Sequence, residues 1–347
     1  MPEAMNAALK PGPGRGLEWA QVPVPRPGAG EVLIRIRATS ICGTDRQLYD
    51  WTPWAQQRVR RFPMIQGHEL CGDVVELGRG VTALNEGDFV SAESHIVDYR
   101  GEYFKKGLAH VAPETQIIGV DRDGAFAEFI VLPWQNARPN PAEMPEQVAV
   151  LKENFGNAVH VGYSVDIAGR DVLITGSGPA GLMTLIVVRA RGARRVFSSD
   201  LSPSRLDFAR RLGADYAINP GQENQLEKVM DLTGGKGVDV LLEISGAASA
   251  IREGLRLVKP GGQAVAFGLP KEPIQLDLAE LIIFKGLTLQ GVAGRRLWDT
   301  WEKMERLLND GRVDLSPIIT HEYPLCEFEK AFETMKEGKC GKVMMRP

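Results

Sequence analysis

Four residues carry side chains of the kind that hold a divalent metal. Cys42 lies in Ser40-Ile41-Cys42-Gly43-Thr44-Asp45, His68 and Glu69 lie in Gly67-His68-Glu69, and Glu153 opens Glu153-Asn154-Phe155-Gly156-Asn157. A soft thiolate, an imidazole and carboxylates are the donor types of a catalytic Zn2+ that keeps one position open. Such an ion acts as a Lewis acid on a bound oxygen. Residue types alone leave a second reading open. A lone histidine is often a satisfied polar group, and a lone cysteine is often a small buried hydrophobe. Spacing along the chain does not decide whether the four converge.

A second motif has its own context. Val172-Leu173-Ile174-Thr175-Gly176-Ser177-Gly178-Pro179-Ala180-Gly181 is an apolar strand entering G-x-G-x-x-G and then a helix that Pro179 and Ala180 begin. Gly176 permits the tight turn, Gly178 lets a pyrophosphate approach the backbone, and Gly181 lets the helix pack on the sheet. The helix N-terminus offers N–H groups and partial positive charge to the phosphates. Asp200 stands about 20 positions further on, at the end of the next strand, as dinucleotide binding requires. Its carboxylate can accept both ribose hydroxyls and would repel a 2′-phosphate, so NAD is expected over NADP. Arg205 works against that exclusion, since an arginine binds such a phosphate, or it stacks on adenine. The competing role for Asp200 is a helix cap. Gly268, in Gly268-Leu269-Pro270, is expected to approach the nicotinamide through its backbone. Ordinary turn chemistry explains that segment as well.

The elements that must position these residues fall into three stretches. The first ~150 residues are strand-rich and turn-rich. Glu31–Ala38 and Gly124–Val131 alternate apolar and polar residues, and prolines at 23, 25, 27, 133, 139, 141 and 145 punctuate the region. From about residue 157, short strands (171–175, 196–199, 238–243, 263–267) alternate with helices (179–191, 203–212, 222–232, 247–257). That alternation predicts a parallel sheet covered on both faces. Ser202-Pro203 reads as a capped helix start. The last ~50 residues hold helices over 298–309 and 326–337 and a closing strand over 342–345. They are too few for a domain and are expected to complete the first one.

Composition sets outer limits. The chain has 347 residues, 44% hydrophobic and 24% charged, with Lys+Arg 41 against Asp+Glu 44 and a net charge of -3. These values exclude global disorder, collagen and a coiled-coil rod, and they oppose a large nucleic-acid footprint. The length favours two domains. No uncharged stretch is long enough to span a bilayer. The start MPEAMNAALKPGPGRG has no apolar core of a signal peptide. Cys42, Cys71, Cys326 and Cys340 form no close pairs. Together these features point to a reducing, cytoplasmic compartment.

Taken in order, the motifs resemble the zinc-dependent medium-chain dehydrogenase family. The phrases are GAGEVLIRI (28–36), ICGTD (41–45), GHE (67–69), EGDFV (86–90), GAFAEF (124–129) and the GSGPAG loop (176–181). The resemblance implies an α/β fold: a Rossmann doubly wound parallel sheet over 158–293, plus a GroES-like β-rich catalytic domain over 1–157 and 294–347. Within the family the chain is most similar to the L-threonine 3-dehydrogenase branch, through SICGTD, Trp51 and Trp54, ESHIV (93–97), GVDRDGAFAEF (119–129), ENFGNAVH (153–160) and AGRRLWDTW (293–301). Polyol and 2,3-butanediol dehydrogenases share some of these phrases.

The branch implies NAD-dependent, zinc-assisted oxidation of the C3 hydroxyl of L-threonine to 2-amino-3-ketobutyrate. Cys42, His68 and Glu153 would bind one catalytic zinc, and Glu69 would join or leave it as the fourth ligand. Thr44 would take the hydroxyl proton, and His95 would line the substrate pocket. A homotetramer is implied as well. A metal-free nucleotide-binding protein is the competing class, and retention of Cys42, His68 and Glu153 argues against it.

Three departures stand out. Where the family carries four cysteines for a structural zinc, this chain has Asp98, Gly101, Phe104 and Ala112, so that second zinc is expected to be absent. The lobe 98–113 is then expected to be held by Tyr99, Tyr103, Phe104 and Leu108. Gln47 replaces a histidine common at the outer end of the proton relay, and Asn154 replaces the usual proline after Glu153.

Overall fold

Glu31–Ser40 is the longest strand, with Val32, Leu33, Ile34, Ile36 and Ala38 all buried. Its apolar residues feed two cores. Val32, Ile34 and Ile36 join one packed group with Leu70, Val74 and Ile130, whereas Leu33 joins another with Phe126, Phe328 and Met345. A strand buried on both faces has a packed layer on each side of its sheet. It lies within a seven-stranded sheet ordered Ala137–Pro139, Phe89–Ala92, Glu69–Leu77, Glu31–Ser40, Lys342–Arg346, Ile319–Pro324, with Phe129–Pro133 paired alongside it. The regular strand near residue 130 is thus shorter than the alternation over 124–131 suggests. The backbone of Gly124, Ala125 and Phe126 bonds instead to the carbonyls of Ile65, Gly67 and Gln66.

The second sheet has six parallel strands, in the order Tyr216–Ile218, Arg195–Ser199, Asp171–Thr175, Val238–Glu243, Val258–Ala266, Thr288–Gly291. Numbered along the chain this order is 3-2-1-4-5-6, the doubly wound Rossmann arrangement. Every residue of Asp171–Thr175 is buried, as a central parallel strand requires. Helices Pro179–Ala190, Pro203–Arg211, Gln225–Leu232 and Ala248–Leu257 make the connections. Pro203 starts its helix as expected, but the Ser202 hydroxyl makes no cap bond and lies 3.0 Å from the Ser204 hydroxyl instead.

The computed structural model describes residues 2–347. The chain forms two compact units, Met1–Asn154 with Leu315–Pro347, and Phe155–Asp314. The return to the first unit therefore falls at Leu315, not near residue 294. Helix Asp299–Asn309 accounts for the difference. It buries Thr300, Trp301, Met304 and Leu307, and its Lys303 ammonium stands 5.3 Å from the ring centre of Tyr163. No helix among the described residues is long and apolar enough to cross a membrane.

In the lobe over 98–113, the Tyr99 and Phe104 rings meet edge to face at 5.0 Å. Tyr103 and Leu108 do not share that packing role, since each is 39% exposed.

Candidate functional site

Strand pairing brings the separated motifs of the first unit together. Ser40 ends one strand and is registered opposite Glu69, the first residue of its antiparallel neighbour. Cys42 follows directly and caps helix Gly43–Tyr49. The Cys42 sulfur, a ring nitrogen of His68 and a carboxylate oxygen of Glu69 all lie within 4.8 Å of one another. Donor atoms around a tetrahedral zinc stand roughly 3.5 Å apart, given bonds of about 2.0–2.3 Å. The three groups fit such an ion after a small closure.

Asp45 holds the first two donors. Its Oδ2 accepts the Cys42 backbone N–H at 2.8 Å, and its Oδ1 lies 3.2 Å from His68 Nδ1. Asp45 is wholly buried. Asp45 Oδ1 and His68 Nδ1 are within ion-pair range but are not aligned as a hydrogen bond; an Nδ1–H that closes on this carboxylate would leave Nε2 with the lone pair, the orientation a metal-binding histidine needs. Burial opposes charge on His68, but Asp45 and, after it, Cys42 outweigh it and hold the ring well above the usual histidine range. A metal would displace that proton.

Glu69 is anchored more heavily than the sequence suggests. Its wholly buried carboxylate accepts from Ser40 Oγ, from Lys342 Nζ at both oxygens, and from Asn154 Nδ2 at 2.9 Å. The same Asn154 amide lies 3.8 Å from the Cys42 sulfur. Lys342 arrives because the closing strand pairs antiparallel with Met344 opposite Ser40. Its Nζ also donates to the Ile41 carbonyl at 2.9 Å. Burial works against the Lys342 charge, yet Glu69, with Cys42 and Asp45, raises it above the usual lysine range. Removing one partner of a buried pair strands the other charge. We expect Lys342→Met to lower unfolding free energy by about 3 kcal/mol in chemical denaturation, and Lys342→Met with Glu69→Gln to recover most of it. An unchanged midpoint in the single variant would show that the pair does not hold this site.

Glu153 stands outside the three-residue group. It lies in helix Lys152–Tyr163, and its Oε1 accepts from Ser94 Oγ at 2.7 Å. Its neighbour Asn154 is the residue that touches Cys42 and Glu69. Thr44 is half-buried in the first turn of helix Gly43–Tyr49, and Gln47 is half-buried in the same helix. His95 opens the short strand His95–Ile96, beside Ser94.

The second unit carries the phosphate-binding loop. Gly176 has φ +91°, and a Cβ there would meet the Ser245 backbone at 2.9 Å. A Cβ on Gly181 would meet the Gly176 carbonyl oxygen at 1.8 Å, whereas one on Gly178 would have nothing within 4 Å. Gly176 and Gly181 thus close the turn, and Gly178 faces open space at the start of helix Pro179–Ala190. Pro179 and Ala180 are half-exposed beside it. Asp200 lies just past strand Arg195–Ser199. It accepts from the backbone N–H groups of Ser177 and Ser202, each at 2.8 Å, so its carboxylate ties the loop to the next turn. Arg205 stands 3.7 Å from it. These residues fit a dinucleotide whose phosphates sit over Gly178.

Gly268 has a different reason to be glycine. A Cβ there would meet the Gly246 nitrogen at 2.2 Å, so it packs against the 244–246 turn. Glu243 is folded into that turn, accepting from the backbone N–H groups of Ser245 and Gly246, at 2.9 and 3.0 Å. Burial pushes its carboxyl above the usual range.

Sequence reasoning singled out neither Asp45, Lys342 nor Glu93. A lysine heading the otherwise apolar run Lys342-Val343-Met344-Met345 was the available signal for one of them. Asp45 sits three residues after Cys42, the spacing of a capping-box carboxylate.

Residues 28–142 match the alcohol dehydrogenase GroES-like domain model, and residues 179–310 match the zinc-binding dehydrogenase model. The chain is 49% identical over 345 residues to the L-threonine 3-dehydrogenase of Pyrococcus furiosus and 48% identical over 345 residues to that of Pyrococcus horikoshii; each alignment covers 99% of both chains. Among solved structures, the NADH complex of a short chain alcohol dehydrogenase from E. coli CFT073 is 25% identical, with a TM-score of 0.92 and 100% of each chain covered. Motifs, sheet order, metal-binding donor set and full-length likeness agree: the chain belongs to the zinc-dependent medium-chain dehydrogenase family, on the branch that holds the L-threonine 3-dehydrogenases.

Proposed function

We propose that this protein oxidises L-threonine at C3, with NAD+ as hydride acceptor and one zinc per chain, giving 2-amino-3-ketobutyrate, NADH and a proton. The convergence of half-buried Cys42 with buried His68 and Glu69 carries this reading, in a chain 49% identical along its length to a threonine dehydrogenase. Zinc, when bound, supplies Lewis acidity that lowers the pKa of the substrate hydroxyl, and NAD+ takes the hydride.

Cys42, His68 and Glu153 would hold the zinc. Glu69 would serve as the exchangeable fourth ligand, released from Ser40, Asn154 and Lys342 when it does so. Thr44 would accept the hydroxyl proton and pass it toward the cofactor. Gln47 titrates nowhere near neutrality, so the relay would end on ribose and water. His95 would hold the threonine carboxylate or relay a proton, a task suited to a group whose ordinary pKa is near neutrality. Gly176, Gly178, Pro179, Ala180 and Gly181 would bind the pyrophosphate, with Gly268 shaping the nicotinamide side. Asp200 would take the adenosine ribose, and Arg205 would stack on adenine, which favours NAD over NADP. Asp98, Gly101, Phe104 and Ala112 support a single zinc, because three of the four offer no side-chain ligand.

The same reading makes the enzyme cytoplasmic and a homotetramer. Four free cysteines support the first. For association of copies, the support is the last strand of the parallel sheet. All of Thr288–Gly291 is exposed, next to Ile283 and Phe284 at 67% and 75% exposure. An unpaired edge with such apolar neighbours is a natural contact between copies.

The test is NADH formation across L-threonine, serine, 2,3-butanediol and sorbitol, with and without a chelator. We expect threonine to have the highest kcat/KM and the chelator to abolish turnover. Turnover of a diol or polyol without threonine would refute the substrate, and full turnover after metal removal would refute the chemistry.

A further inference from the structure

His95 is mounted in an unusually complete frame. Glu93 lies directly after strand Phe89–Ala92 and is wholly buried. One oxygen, Oε1, accepts the His95 backbone N–H at 2.8 Å and faces His95 Nδ1 at 2.9 Å. Asn136 brackets the segment from across the fold. Its Nδ2 donates to the Glu93 and His95 backbone carbonyls, both at 2.8 Å, and its backbone carbonyl accepts the Glu93 N–H at 2.8 Å. Between the two residues, Ser94 donates to Glu153. The His95 side chain is 11% exposed.

An ionised carboxylate only accepts hydrogen bonds, so the nitrogen facing it must carry the hydrogen. Glu93 therefore selects the Nδ1–H form of neutral His95. Nε2 is then the nitrogen that gains and loses a proton. The backbone bond to the same oxygen fixes the carboxylate, and the Asn136 bonds fix the backbone. A carboxylate held in this way resists following a rotating ring. Burying a carboxylate is costly unless several donors repay it, and two of the donors here are the backbone and the ring of His95.

We propose that Glu93 is a positioning residue for the dehydrogenase reaction, which fixes the tautomer and ring plane of His95 so that Nε2 meets the substrate. The proposal rests on the reading of His95 as a pocket residue. Glu93 itself touches no reacting atom and acts through the ring.

The test uses the zinc-loaded enzyme with 15N-labelled histidine, and His95→Asn to assign its signals. At a pH where the His95 ring is neutral, multiple-bond 1H–15N spectra of the wild type should show the Nδ1–H tautomer alone. The Nε2–H tautomer there would overturn the proposal, with no variant needed. In Glu93→Gln, whose amide can present either a donor or an acceptor, the ring should populate both tautomers. kcat for threonine should fall by roughly 10- to 100-fold, by analogy with groups that orient a metal-binding histidine. The KM for NAD+ should stay within about twofold of the wild type. Glu93→Asp keeps the charge and should recover part of kcat. A mixed tautomer with unchanged kcat would make Glu93 a structural residue and end the proposal. Absence of threonine turnover in the wild type would instead strike the substrate reading, and the tautomer spectra would still report on Glu93.

Discussion

Cys42→Ser is expected to cut NADH formation by at least roughly 100-fold while leaving NADH affinity within about twofold of the wild type. A serine hydroxyl stays protonated near neutrality and is a poor zinc donor, so the ion loses its one soft ligand. The fold should tolerate the change. Cys42 caps helix Gly43–Tyr49 in extended conformation, and serine is among the best residues at that position. Asp45 would still accept from the backbone N–H of residue 42. The loss therefore reports on metal chemistry, not on unfolding. Zinc content by mass spectrometry and NADH affinity by fluorescence titration separate the two. Wild-type turnover in a folded Cys42→Ser protein would remove sulfur from the site.

The second large effect divides two glycines of one motif. Gly178→Val should raise the Kd for NADH roughly tenfold or more by filling the space a pyrophosphate needs. It should cost only about 1 kcal/mol of stability, as a poorer helix cap, because nothing lies within 4 Å of its Cβ. Gly181→Ala should do the reverse. Its methyl would stand 1.8 Å from the Gly176 carbonyl oxygen, and a backbone atom inside a strand-turn-helix unit cannot yield. A loss of about 3 kcal/mol or more is expected, with cofactor affinity falling only as the loop deforms. Thermal melts with and without NADH read both. Equal NADH binding by Gly178→Val and the wild type would mean the phosphates do not lie on this loop.

The sequence made the second unit legible because its signals are local. Val172–Ile174 is apolar throughout, Gly-x-Gly-x-x-Gly follows after Thr175, and Pro179 and Pro203 mark helix starts. Each feature depends on neighbours a few residues away, and the parallel sheet follows from their alternation. The metal-binding group was half legible. Its residue types were plain, but convergence depends on register, Ser40 opposite Glu69 and Met344 opposite Ser40, which no local pattern encodes. For the same reason Lys342 was missed, since 273 residues separate it from Glu69. Helix Asp299–Asn309 falls before the return to the first unit, which its sequence does not reveal because an amphipathic pattern says that a helix packs but not on what. Tyr103 and Leu108 were expected to hold the 98–113 lobe on hydrophobicity alone, and both are 39% exposed. Glu93 lay in a recognised phrase, yet a carboxylate two residues from a histidine shows its purpose only once the turn between them is drawn.

The most direct measurement is zinc-edge X-ray absorption on the purified enzyme, paired with metal content. The expected result is one zinc per chain with one sulfur neighbour at about 2.3 Å and nitrogen or oxygen neighbours at about 2.0–2.1 Å, the sulfur vanishing in Cys42→Ser. A wild-type enzyme that turns over threonine with no zinc, or with zinc that has no sulfur neighbour, would contradict it.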